Sequence, residues 1–187
     1  MPRKTLKQRR ARDLAKIKAA KEADFGLDDQ ETIGKRILER SKTISGTDAD
    51  WFANELYEEL LPIAEQRFPE VGELCFFTYS AAFGDKYPWW DRRPLAYILD
   101  IKVDSILAAN LHYYNPAIRS SIAGSLINKR EANLPDKTLH RYFISNIDGL
   151  FIIPEDSTEW ADIAMLVTER FVNKYGKVSP ETVWDSP

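Results

Sequence analysis

The pattern of apolar and polar positions predicts two helices early in the chain. The first begins near Asp29, and the second runs from an N-cap at Asp48 to about Phe68, where Pro69 and Gly72 stop it. The apolar positions of the second helix recur at intervals close to 3.6 residues. They are Trp51, Phe52, Leu56, Leu60, Leu61 and Ile63.

The period then changes to one typical of strands. Residues 74–80, 94–101 and 103–113 are predicted strands, and the last two form a hairpin that turns near residues 102–105. A further short strand is predicted at 150–153. The pattern therefore predicts an α+β fold with a small, mostly antiparallel sheet, made of residues 74–113 and 149–154, packed with flanking helices.

Three further helices are predicted in the C-terminal part. Asn115 caps the first, which presents Ile118, Ile122, Leu126 and Ile127 to the core. A short second helix is capped by Asp136 and uses Leu139, Tyr142, Phe143 and Ile147. The third starts at Ser157 or Thr158 and continues through Trp160, Ile163, Ala164, Val167 and Phe171. The tail is expected to be extended and anchored by Val183 and Trp184.

The net charge of −3 hides a strong asymmetry. Residues 1–22 carry nine basic and two acidic residues, a net +7, and the remainder carries 17 basic and 27 acidic residues, a net −10. We therefore predict a basic arm at residues 1–25 and a single α+β domain at 26–187. The cations that we expect to bind nucleic-acid phosphates or an acidic protein are Arg3, Lys4, Lys7, Arg9, Arg10, Arg12, Lys16, Lys18 and Lys21. A solvated tail without a defined contact is the alternative.

The sequence contains no recognisable reaction centre. Neither His112 nor His140 has a carboxylate or second His at helical spacing in a context that suggests a metal or catalytic site, and the glycines stand singly, unlike a phosphate-binding loop. The single Cys75 excludes an internal disulfide, and no apolar run approaches the roughly 20 residues that span a membrane. We expect no catalytic residue, no cofactor, no metal and no membrane association.

An aromatic loop between the first two strands is the second candidate for binding. It contains Trp89, Trp90, Arg92 and Arg93, and Trp and Arg dominate the energetics of protein interfaces. We predict a protein interface at these residues. The structural alternative is that the two Trp side chains close the ends of the sheet.

The order of several short motifs resembles a known group. These motifs are Phe77-Thr78-Tyr79, the run from Lys86 to Leu95, Asn110-Leu111-His112-Tyr113 with Arg119, Arg141-Tyr142 and Val183-Trp184-Asp185. Over roughly residues 74–186 the chain is similar to virion-associated proteins of T4-like and related tailed bacteriophages, some of which are labelled DNA end-protectors. In this resemblance, Asn110 and His112 join the sheet to the helix that follows and are not ligands.

The residues and the resemblance together lead to three hypotheses of function, in order of preference. The first is a non-enzymatic structural component of a virion, in the tail, baseplate or neck, which is made in the host cytoplasm and docks on other virion proteins in a multi-subunit assembly. The alternative is a protein that binds DNA ends or other nucleic acid through its basic arm. A third hypothesis is an enzyme whose dispersed carboxylates assemble a metal site.

Overall fold

The computed structural model describes residues 31–65, 67–128, 132 and 134–186. The nine cations of the arm lie outside these residues. The described helices are α1 (Ile33–Ser41), α2 (Ala49–Leu60), α3 (Pro116–Ile127), α4 (Ser157–Met165) and α5 (Pro180–Trp184). The described strands are β1 (Leu74–Tyr79), β2 (Trp90–Asp91), β3 (Leu95–Ile101), β4 (Ser105–Asn110), β5 (Leu139–Phe143), β6 (Ile147–Ile152), β7 (Phe171–Asn173) and β8 (Gly176–Lys177).

The strands form two antiparallel sheets. The larger has the order β5-β4-β3-β1-β6, and the smaller has the order β2-β7-β8. The predicted hairpin is confirmed, because β3 pairs with β4 and the Lys102 N–H donates to the Ser105 carbonyl at 2.8 Å. The α+β class predicted from the sequence is also confirmed.

The larger sheet has a buried core on each face. Successive side chains of a strand point to opposite faces, so Leu74 and Phe76 of β1 join the core under the helices, whereas Cys75 and Phe77 join the core on the other face. Burial raises the pKa of the Cys75 thiol to about 12, as expected for an unreactive cysteine. Strand β1 therefore contributes to both cores, as its neighbour β3 does through Leu95 and Ile98.

Helix α2 begins at its predicted cap but ends earlier than expected. The Asp48 carboxylate accepts a hydrogen bond from the Trp51 N–H at 2.9 Å, as predicted, and the helix stops at Leu60 instead of Phe68. Pro62 lacks an N–H and cannot continue the helix, so a short 3₁₀ turn follows. As a result Leu61 and Ile63, which we predicted on the apolar face, are exposed.

Four of the C-terminal predictions are wrong. The tail, which we expected to be extended, contains helix α5, in which Val183 is buried. The segment after Asp136 forms only a 3₁₀ turn and then strand β5, because its backbone pairs with β4 along its whole length. Helix α4 stops at Met165, and Phe171 lies in β7. The buried face of α3 contains Arg119 with two apolar residues, whereas Ile118 is exposed.

Helices α1 and α4 approach each other closely at Gly34. A methyl group at Gly34 would lie 2.5 Å from the backbone carbonyl carbon of Asp162. Across the same contact, the Glu159 carboxylate accepts hydrogen bonds from the N–H groups of Ile33 and Gly34 at 3.1 and 3.3 Å. Glu159 therefore caps the N-terminus of α1, where the backbone N–H groups have no partner within the helix.

Replacement of this glycine tests the helix contact. We expect Gly34→Ala to destabilise the protein by about 1–3 kcal/mol, because the obstructing atoms belong to the backbone of α4 and cannot rotate away. The matched control is Gly124→Ala in α3, where a methyl group meets nothing within 4 Å. That change is expected to stabilise by about 0.5–1 kcal/mol through helix propensity. Equal unfolding free energies of the two variants in urea would contradict the contact.

Candidate functional site

A buried carboxylate lies where the two sheets meet. Asp91 of β2 is 3% exposed, and four donors converge on its two oxygens. The N–H groups of Arg93 and Arg170 donate to Oδ1, both at 3.0 Å. On Oδ2, His112 Nδ1 donates at 2.6 Å and Asn110 Nδ2 donates at 3.2 Å. The carboxylate thus joins β2 to the end of β4 and to the segment that leads into β7. We call Asp91 and these four donors the Asp91 cluster.

These donors keep Asp91 ionised in the interior. Burial by itself would raise its pKa, but the contacts with His112 and the two backbone N–H groups outweigh burial and lower the pKa to about 2. A buried charge with a full set of hydrogen bonds is tolerated, whereas the same charge without them would be strongly destabilising.

His112 continues the cluster towards the C-terminal part of the chain. It lies in the 3₁₀ turn Leu111–Tyr113, where the Asn110 side chain accepts a hydrogen bond from the His112 N–H at 3.0 Å. Its Nε2 lies 3.0 Å from Oγ1 of Thr168. The sequence prediction that Asn110 and His112 are structural was based on joining the sheet to the next helix, but here both contact β2 instead.

The order Asp91, His112, Thr168 has the connectivity of a hydrolytic triad. A triad needs its nucleophile to reach a substrate. Thr168 is 1% exposed and His112 is 0% exposed, so a substrate cannot reach either side chain in this conformation. The arrangement therefore acts as a hydrogen-bonded connection between segments.

A second buried pair fixes the loop after α4. Arg119 of α3 donates from Nε to the Ala164 carbonyl at 2.5 Å and from Nη2 to the Leu166 carbonyl at 2.8 Å. Its Nη2 also lies 3.0 Å from a carboxylate oxygen of Glu169. Burial lowers the pKa of Arg119, and the charge of Glu169 opposes that shift. This pair holds Thr168 and Arg170 in the positions from which they reach the Asp91 cluster.

The four residues predicted as a protein interface have different environments. Trp89 and Trp90 are half-buried and Arg92 is exposed. Arg93 is buried instead, with Nη2 2.9 Å from the carboxylate of Asp50, which also contacts Arg170 at 2.9 Å and Lys177 at 3.4 Å. Arg93 therefore belongs to an ionic network within the domain, while the other three side chains reach the surface.

A cleft opens beside Trp89 and Trp90, between the loop that precedes β2 and the edge strand β5. Its volume is about 530 Å³. It is lined mainly by aromatic rings, which are Tyr79, Phe83, Tyr87, Trp89, Trp90, Tyr113, His140, Tyr142 and Phe143. We call it the aromatic cleft. The sequence did not reveal its second wall, because residues 139–143 were predicted as part of a helix.

The floor of the aromatic cleft is tightly packed. The rings of Tyr79 and Tyr142 meet edge to face with centroids 4.9 Å apart, and those of Tyr113 and His140 lie 4.5 Å apart. Burial lowers the pKa of His140, so this imidazole is neutral at pH 7, and its Nε2 donates to the Lys137 carbonyl at 3.0 Å. Edge-to-face contacts of this kind fix ring orientation.

Among the described residues, no group of three or more His, Cys, Asp or Glu side chains is arranged to hold a metal ion. None of the helices in this part of the chain is long and apolar enough to cross a bilayer.

The fold and the Asp91 cluster together define an α+β protein in which a buried carboxylate ties two sheets together. The sequence model of the family described as phage T4 terminal DNA protecting protein matches residues 1–138. This match covers about three quarters of the chain, and the chain belongs to that family. No curated protein and no solved structure matches it.

The family match confirms the resemblance to DNA end-protectors of T4-like phages. The match includes Asp91, Asn110, His112 and Arg119, but Thr168 and Glu169 lie beyond it. The signal for the cluster was present in the sequence as the order of the Trp-Asp and Asn-Leu-His-Tyr motifs. The contact between them was missed because they are separated by about 20 residues and no spacing rule relates them.

The Asp91 cluster has a defined dependence on pH. The folded-state pKa of about 2 lies below the ordinary value of 3.8, so ionised Asp91 favours the folded state. This contribution is complete above about pH 4 and is lost as the pH falls through 2. We expect Asp91→Asn to reduce the unfolding free energy at pH 7 by about 3 kcal/mol or more. The difference in unfolding free energy between the variant and the parent protein should then decrease by about 2 kcal/mol between pH 5 and pH 2.

Urea unfolding of both proteins at a series of pH values measures this difference in unfolding free energy. The control is Asp85→Asn, an exposed position, which is expected to change the unfolding free energy by less than about 0.5 kcal/mol at every pH. An Asp91→Asn protein as stable as its parent at pH 7 would mean that the cluster does not hold the sheets together.

Proposed function

We propose that this protein binds the ends of phage DNA and shields them by occupying them, without catalysis. The observation that carries this proposal is the family match, which begins at residue 1 and so includes both the basic arm and most of the domain. The family is described as DNA protecting, and protection of an end requires only that the end be covered.

The positive charge of the arm accounts for a general attraction to DNA. Residues 1–22 of the arm have a net charge of +7, while the rest of the chain has a net charge of −10 and repels a polyanion. Each Lys or Arg that contacts a phosphate releases counterions, and this requires no particular geometry. The arm is therefore the part of the chain suited to hold duplex DNA of any sequence.

The polar cluster of the domain supports a binding role over a catalytic one. Its most reactive combination, Asp91 with His112, is enclosed, and all four of the donors around the carboxylate come from the chain itself. These bonds stabilise the fold. In this proposal, binding is carried out by residues on the surface of the protein.

A second candidate function is attachment to another protein of the virion, in the tail, baseplate or neck. Four apolar side chains near the end of α2 are largely exposed, namely Leu61 at 69%, Ile63 at 52%, Phe68 at 47% and Val71 at 60%. We call them the apolar patch. Ile63 and Val71 border one depression and Phe68 borders another, and the two depressions share Glu65 and Arg67. Exposed apolar patches of this kind favour protein contacts.

Charge-neutralising substitutions test the role of the arm in DNA binding. We expect Lys16→Gln, Lys18→Gln and Lys21→Gln together to weaken binding to a linear duplex and to reduce the slope of log affinity against log salt by up to about 3. The matched control replaces Lys35, Lys42 and Lys102, which are exposed on the domain, by Gln. Fluorescence anisotropy over a range of salt concentrations measures both. Equal slopes for the two triple variants would contradict the proposal.

Substitutions in the apolar patch test the attachment to the virion. Val71→Ser is expected to lower incorporation into phage particles while leaving affinity for DNA unchanged, because the patch lacks clustered cations. The control is Val103→Ser, since Val103 is an exposed valine too but lies in the β3–β4 turn. Quantitative mass spectrometry of purified particles gives the copy number. If both variants are incorporated equally, the patch is not the attachment surface.

A further inference from the structure

We propose that the aromatic cleft receives unpaired nucleotides at the terminus of the DNA and so distinguishes an end from the interior of a duplex. This inference rests on the proposed function, because it assumes that the protein binds DNA ends. In this proposal the cleft recognises the DNA end, and the arm provides the general affinity for DNA.

The arm alone cannot distinguish an end from the interior. Its cations contact phosphates, and phosphates recur along the whole duplex with the same charge and spacing. The property that separates an end is the accessibility of its bases. Interior bases are paired and stacked on both sides, whereas terminal bases fray or extend as a single strand. Selectivity for ends therefore needs a surface that accepts an unpaired base.

The mouth of the aromatic cleft provides such a surface. Phe83 is 49% exposed and Tyr87 is 58% exposed, so about half of each of these two large aromatic side chains is accessible to solvent at the entrance. Half-buried Trp89 and Trp90 lie behind them. Proteins that bind single strands use exposed rings of this type as platforms on which successive bases stack, whatever the base. The volume of about 530 Å³ falls within the range of roughly 300–1,000 Å³ typical of small-ligand sites.

The charges around the cleft allow a nucleic acid to bind. Lys86 has its ammonium group 4.9 Å from the centroid of the Phe83 ring, and Arg141 is exposed on the opposite wall. Lys137 also lines the cleft, although its ammonium donates to the carbonyls of Trp184 and Ser186. The acidic residues nearby are Asp85 and Asp136, with Asp91 already satisfied by four internal donors. The three cations are thus balanced by three carboxylates, so the cleft is close to neutral and repels a polyanion less than the rest of this strongly anionic domain does.

The entrance is shaped before any ligand arrives. Residues Gly84–Lys86 form a 3₁₀ turn, and the Trp90 ring packs so closely on Gly84 that an added methyl group would lie 2.8 Å from it. The next residue, Asp91, is fixed by the buried cluster. A preformed platform loses little conformational entropy on binding, and this favours affinity. The Asp91 cluster therefore supports the cleft as well as the fold.

The test uses the full-length protein and two DNA ligands, a blunt duplex and the same duplex with a short single-stranded thymine overhang. We expect the parent protein to prefer the overhang. Phe83→Ala and Tyr87→Ala are each expected to reduce affinity for the overhang by roughly fivefold to a hundredfold, while affinity for the blunt duplex changes much less. Both residues are exposed, so neither substitution should affect folding, which urea unfolding verifies.

The matched controls are Phe68→Ala and Tyr175→Ala. Phe68 is 47% exposed and Tyr175 is 84% exposed, and neither lines the aromatic cleft. They are expected to bind both ligands as the parent does. If the Phe83 and Tyr87 variants keep the parent preference for the overhang, the proposal is wrong. It is also wrong if these variants bind DNA normally but are missing from phage particles, since the cleft would then be a protein interface.

The outcomes separate this inference from the function on which it rests. If the parent binds neither ligand, the proposed DNA function itself fails. If the parent binds both ligands equally and the arm variants weaken both, DNA binding stands and only the role of the cleft is refuted.

Discussion

The structure depends on the ionised carboxylate of Asp91 and the four hydrogen bonds that surround it. Two of the donors are the backbone N–H groups of Arg93 and Arg170, which lie 77 residues apart in sequence. The other two are the side chains of Asn110, at the end of β4, and His112, in the turn that follows. Without the carboxylate, the small sheet would lose its hydrogen bonds to the side chains of Asn110 and His112. Because the same residue follows Trp90 directly, this connection also sets the position of the aromatic cleft. Fold stability and the candidate binding surface thus share one interaction.

The different roles proposed for the arm and the domain in DNA binding follow from their opposite net charges. The domain, residues 26–187, has a net charge of −9 and gains nothing from general proximity to DNA, so any DNA contact it makes must be local and specific. The aromatic cleft meets that requirement, since stacking depends on ring faces more than on net charge. A basic arm joined to an acidic domain can therefore combine strong, unspecific attraction with a selective contact at the terminus.

Much of the fold was predictable from local signals. The caps at Asp48 and Asn115, the β3–β4 hairpin and the strand at 74–79 were each specified by a few neighbouring residues. The errors arose where tertiary contacts outweighed local pattern. Residues 139–143 carry a pattern compatible with a helix, but pairing with β4 makes them a strand. The burial of Arg119 was not predicted, because its partners, Glu169 and two carbonyls, lie 45 or more residues away. The cleft was hidden for the same reason, since one of its walls is that strand.

The central claim is that this protein covers DNA ends. The most direct measurement is digestion of a linear duplex by an exonuclease that requires a free end, in the presence of the protein and an excess of covalently closed circular DNA. The account predicts that the linear duplex stays intact at protein concentrations near one molecule per end, because the circle offers phosphates but no terminus. Loss of protection when the circular competitor is added would mean that the protein binds DNA along its length, and this would contradict the claim.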